Sequence, residues 1–114
     1  MASKKTPAEG SPTDAVDFSV HRIRGKRVIF DFELAVLYDV PVRVLNQAVT
    51  RNAARFPEDF MFRLTVAEQD ALNRSRSDPK AGTRAFTLEG IAMLSGILHS
   101  KRAVEVSLSI IRAL

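Results

Sequence analysis

Arg43, Asn46, Gln47, Thr50 and Arg51 fall within nine consecutive positions of this chain. Their side chains suit one kind of chemistry. Arginine can make paired hydrogen bonds to a guanine edge, asparagine and glutamine can do so to an adenine edge, and threonine can meet a base edge or a phosphate. At helical spacing the five share one side of a helix, opposite Leu45, Ala48 and Val49, and no acidic residue stands among them. Such a face suits a DNA groove. The same pattern also describes an ordinary solvated helix, so the surrounding elements must decide between the two readings.

The segment Asp31 to Asn52 reads as two short helices joined by a tight turn. Asp31 is placed to cap the first helix and Glu33 lies in its electropositive first turn, while Leu34, Leu37 and Tyr38 recur at the spacing of a buried face. That helix should end near Asp39. Pro41 cannot continue it, but its fixed φ suits the start of a new one, so the second helix is expected over 41–52. The result is a helix-turn-helix pattern that presents the five polar residues.

Other cations cluster in two places. Ile23-Arg-Gly-Lys-Arg-Val28 looks like a two-residue β-hairpin with Gly25 at a position needing positive φ and with Ile23 facing Val28. It gathers Arg22, Arg24, Lys26 and Arg27, as either a solvated tip or a phosphate contact. A polar stretch later in the chain carries Arg74, Arg76, Lys80 and Arg84 against only Asp78, and reads as a plain surface loop or an arm along a phosphate backbone. Arg55, just past the second helix, completes the set of candidate DNA contacts.

The remaining elements form the scaffold. Phe60, Phe62 and Leu64 alternate as in a half-buried strand, and Thr65 with Glu68 makes a capping box for a helix from Val66 to Asn73. Ala85 to Thr87 reads as a short strand ending at an N-cap, followed by an apolar helix through Leu88, Ile91, Leu94 and Ile97. Ser100 caps a last helix on which Val104, Leu108 and Ile111 follow i, i+4, i+7, widened by Ala103, Val106, Ile110 and Leu114. A stripe that wide means deep burial or a homodimer contact. The expected fold is α+β: one small domain over 18–114 with a β-hairpin, a helix-turn-helix-like pair, short strands and further helices. Residues 1–17, rich in Ser, Thr, Pro, Ala and Gly, should be a disordered tail.

At 114 residues the chain can bury a modest core unaided, and with no cysteine it has no disulfide or thiolate metal site. The net charge is +4; Lys4 and Lys5 against Glu9, Asp14 and Asp17 give residues 1–19 a charge of −1, so the rest carries +5. A basic globular part favours a polyanionic partner. No apolar run is long enough to span a membrane and no signal peptide is evident, which fits a cytoplasmic protein. Catalysis needs converging groups, and the candidates here are scattered or serve local structure. His21 and His99 are isolated, Asp31 and Glu89 sit where helix N-termini favour acids, and Glu58-Asp59 lies in a proline turn. No catalytic residue, metal ligand or cofactor motif is assigned, and no enzymatic activity is expected.

Several pieces together carry a family likeness: Ile23 to Asp31, Leu34 to Tyr38, Leu45-Asn46 to Arg51-Asn52, Arg55-Phe-Pro-Glu-Asp-Phe-Met-Phe-Arg-Leu-Thr65, Phe86 to Ser95, and Ser100 to Val104. From about Val20 to the end the chain resembles the ORF-six N-terminal domain family, a relative of the KilA-N domain of phages, bacteria and large DNA viruses. The resemblance implies a small α+β DNA-binding domain of a phage- or prophage-type regulatory protein, without catalysis. It places contact with double-stranded DNA on Arg43, Asn46, Gln47, Thr50 and Arg51. It also leaves room for an antirepressor-type module that binds a repressor protein rather than DNA. Family members tend to continue into a second, variable region, whereas this chain stops at Leu114; an effector activity housed there is expected to be missing.

Overall fold

A computed structural model of the chain describes residues 18–73 and 82–114. The expected tail over 1–17 and the loop cations Arg74, Arg76 and Lys80 lie outside the described residues. The fold is α+β. Strands β1 (His21–Ile23), β2 (Lys26–Phe30), β3 (Met61–Arg63) and β4 (Arg84–Phe86) form an antiparallel sheet in the order β1-β2-β4-β3. The helices are α1 (Asp31–Tyr38), α2 (Val42–Arg51), α3 (Val66–Asn73), α4 (Leu88–Ile97) and α5 (Lys101–Ala113), with a 3-10 turn at Ala53–Arg55.

Alternation along the strands separates two cores. Ile29 and Phe86, paired across β2 and β4, point to one face and join Leu34, Tyr38, Leu45, Val49, Ile91, Leu94, Val106 and Ile110 from α1, α2, α4 and α5. Val28, Phe30, Phe62 and Ala85 point to the other, with Leu72 of α3 packed on them. Each fully buried side chain of this size contributes on the order of 1.5–3 kcal/mol, so both faces of this small sheet are needed. Helix α4 crosses close to the chain before β3. A Cβ on Gly90 would overlap the Phe60 carbonyl, the same oxygen that accepts hydrogen bonds from the Thr87 backbone and hydroxyl.

Most boundaries follow from local signals. Thr65 and Glu68 form the reciprocal capping box, with bonds of 2.8 and 3.1 Å, and α3 runs over the expected residues. Thr87 and Ser100 cap α4 and α5 by accepting from the amides of Gly90 and Ala103. The hairpin turns at Arg24 and Gly25, both with positive φ. Its register differs from the expected one: Ile23 opposes Lys26 and His21 opposes Val28, because a two-residue turn pairs the residues immediately flanking it.

Two further expectations are corrected, and the alternative left open for α5 is narrowed to its exposed form. Asp31 is the first residue of α1 and not its cap; Glu33 instead accepts from the Phe30 amide at 3.0 Å. Arg84 is on β4 and not in a loop, and it is buried. On α5 the core face is Ala103, Val106, Ser107 and Ile110, while Val104, Leu108 and Ile111 stand 36–44% exposed. The position of the core face has a polar cause. Ser107 lies in the core because its hydroxyl bonds to the Tyr38 hydroxyl at 2.8 Å and donates to the Ile91 carbonyl at 3.3 Å, tying α1, α4 and α5 together. Burial pushes the Tyr38 hydroxyl up to about 12, against a smaller opposing effect of the Ser107 bond, so it stays protonated.

Candidate nucleic-acid interface

The turn between α1 and α2 fixes the direction of α2. Asp39 takes the left-handed conformation (φ 61°), with its amide donating to Val36 and the Val40 amide donating to Ala35. These two bonds are those of a Schellman ending. Arg102 of α5 donates from Nε to the Leu37 carbonyl at 2.9 Å, satisfying another free oxygen at the end of α1. Pro41 then precedes α2, and its carbonyl accepts from Val44 and Leu45. Leu45 and Val49 enter the core, so the opposite side of α2 faces solvent.

Arg43, Asn46, Gln47, Thr50 and Arg51 line one shallow open depression along that side. They are not equivalent. Asn46 is half-buried; its Nδ2 donates to Asp31 Oδ2 at 3.0 Å, and its Oδ1 accepts from Arg84 Nη1 at 3.2 Å. The Thr50 hydroxyl donates to the Asn46 carbonyl at 2.9 Å and accepts from Arg84 Nη2 at 3.1 Å. Arg43, Gln47 and Arg51 are exposed, and among the described residues none of them has a hydrogen-bond or ion-pair partner.

Arg84 therefore ties the sheet to α2. Besides its bonds to Asn46 Oδ1 and Thr50, its Nη1 donates to the Asn46 carbonyl at 2.9 Å. Its own amide lies 3.3 Å from Asp31 Oδ2. Asp31 also accepts from the Phe32 amide at 2.7 Å, so one buried carboxylate collects donors from α1, α2 and β4. Burial, chiefly, and then the charge of Arg63 across the strand pair lower the affinity of the Arg84 guanidinium for its proton, while Asp31 opposes the shift. An arginine keeps its charge in any case. Sequence reasoning missed the role of both residues; the only local signal was a lone arginine beginning the strand Arg84-Ala-Phe86.

The hairpin cations divide differently. Arg24 donates from Nε and Nη2 to the two Glu68 oxygens at 2.8 and 3.1 Å, lies 4.0 Å over the Phe62 ring, and is 3.7 Å from Glu58. It therefore belongs to the face of the sheet covered by α3, away from α2. The Arg24 guanidinium holds the Glu68 carboxyl down at about 2, against an ordinary value of 4.5. Lys26 and Arg27 are exposed, but the hollow they line also contains Asp59 and Glu89. Arg55 is exposed at the end of the 3-10 turn. His21 is not isolated: its Nε2 lies 3.0 Å from a Glu33 oxygen and its ring stacks on Phe30. His99 is exposed.

Fold and surface together define a small α+β domain that presents one acid-free, arginine-bearing helix from a buried polar anchor. The chain belongs to the ORF6N domain family, which matches residues 18–97 and is of phage type. The match ends before α5, so the Ser100 to Val104 piece of the likeness lies beyond it. No curated protein and no solved structure matches the chain. Among the described residues no helix is long and apolar enough to cross a membrane.

Proposed function

We propose that this domain binds double-stranded DNA without catalysis, as the DNA-contacting part of a cytoplasmic phage- or prophage-type regulator. The helix-turn-helix pair α1–α2 docks with α2 against the major groove. One observation carries the reading: among the described residues Arg43, Gln47 and Arg51 have no partner, along a helix that has no acid and whose opposite side is fixed in the core. Electrostatic attraction supplies affinity and hydrogen bonds to base edges supply preference. The better-placed acids and the half-buried histidine already serve the fold: Asp31 in the anchor, Glu33 with His21 and Glu68 with Arg24.

The test is fluorescence anisotropy of a labelled mixed-sequence duplex at several salt concentrations. Tight binding at low salt that weakens steeply as salt rises is the expected result. No binding even at low salt would contradict it.

A second reading has an observation of its own. Val104, Leu108 and Ile111 form an exposed apolar line on α5, which favours a protein contact, either a second copy of the chain or a repressor bound in antirepressor fashion. It predicts association that is insensitive to salt and independent of DNA.

A further inference from the structure

Of the five polar residues on α2, two, the half-buried Asn46 and the exposed Thr50, are bonded to Arg84 of the sheet. An asparagine that reads adenine must offer the base an amide hydrogen and its amide oxygen together, along one edge. In Asn46 the nitrogen is already bonded to Asp31 and the oxygen to Arg84. The Thr50 hydroxyl is occupied twice, by the Asn46 carbonyl and by Arg84. What remains is Arg43, Gln47 and Arg51, at i, i+4 and i+8, in one row on the exposed side of α2. At a rise of about 1.5 Å per residue, neighbours in this row are about 6 Å apart along the axis. Base pairs follow each other at about 3.4 Å, so each step of the row covers a little under two base pairs.

We infer that the row Arg43-Gln47-Arg51 alone reads sequence, and that its preferred site is a core of about five base pairs in which two guanines flank a central adenine at alternate positions. This rests on the DNA-binding reading above and adds which side chains discriminate and what they select. Arg43 and Arg51 each pair with O6 and N7 of a guanine, and Gln47 pairs with N6 and N7 of the adenine. Asn46 and Thr50 hold the helix in place and select no base.

The experiment is selection of bound duplexes from a pool randomised over ten positions, using the full chain and the variants Arg43→Ala, Gln47→Ala, Arg51→Ala and Asn46→Ala. The full chain should enrich the alternating guanine, adenine, guanine core. Gln47→Ala should lose about tenfold of preference at the central adenine only, and each arginine variant a similar amount at one guanine. Asn46→Ala should bind more weakly with an unchanged pattern. If that variant does not fold, the three exposed positions still decide. Binding without sequence enrichment would overturn the inference and leave DNA binding standing. A base preference lost in folded Asn46→Ala, or kept in Gln47→Ala, would also overturn it, and absence of any duplex binding would remove both readings.

Discussion

Four arginines divide this molecule into two kinds of basic surface. Arg24 and Arg84 are held: one lies between Glu68 and the Phe62 ring, the other between Asn46 and Thr50. Arg43 and Arg51 on α2 have no partner among the described residues. Counting cations would place Arg24 and Arg84 with the others as DNA contacts. Their hydrogen bonds instead place them in the fold. A cation already bonded within the fold gains little from a phosphate, whereas an unbonded one on an acid-free helix releases counterions on contact. The difference also explains how α2 can present its exposed side: the held arginine Arg84 fixes the helix that carries the free ones.

The largest effect should come from Arg84. Arg84→Met leaves the Asn46 side-chain oxygen and the Thr50 hydroxyl without their donor beside the sheet, and denaturant unfolding should show a loss of about 2–4 kcal/mol. A loss below about 0.5 kcal/mol, the usual size for an exposed substitution, would erase the distinction between held and free arginines. Arg43→Ala/Arg51→Ala should do the reverse. Its stability should stay within about 0.5 kcal/mol of the parent, while duplex affinity falls by about 2 kcal/mol or more.

Arg24→Ala sharpens the comparison through pH. The Glu68 carboxyl is held at about 2 instead of 4.5, so the pair stabilises the fold above pH 4.5 and loses that contribution as pH falls towards 2. Solvent reaches about a third of the Arg24 side chain, which limits the effect to about 1 kcal/mol near neutrality. Melting temperatures of parent and variant should differ at pH 7 and converge as pH drops below 4.5. A difference that persists at the acid end would assign the effect to packing on Phe62 instead. The smallest change is Asp39→Gly in the turn that directs α2. Relief of the left-handed residue and of an acid at a helix C-terminus should raise stability by about 0.5 kcal/mol, and binding should be unaltered.

The α+β class, the capping box at Thr65 and Glu68, and the caps at Thr87 and Ser100 could be read from the chain because each is set within four residues. The α2 side chains were readable for the same reason, since a ten-residue helix shows its two sides in its own sequence. What escaped was long-range. Arg84 looked like a loop cation because its partners Thr50, Asn46 and Asp31 lie 34, 38 and 53 residues away. The apolar spacing on α5 left Val104, Leu108 and Ile111 between burial and a dimer contact because nothing near Ser107 shows that Tyr38, 69 residues earlier, draws that hydroxyl into the core. In both cases a polar residue is buried by a partner that periodicity does not report.

Duplex binding by the parent, Arg43→Ala/Arg51→Ala and Arg24→Ala, compared by anisotropy at one low salt concentration, tests most directly the claim that the free arginines meet DNA and the held ones do not. The double variant should bind at least about thirtyfold more weakly, and Arg24→Ala within about twofold of the parent. Equal losses in the two variants, or a loss confined to Arg24→Ala, would contradict the account.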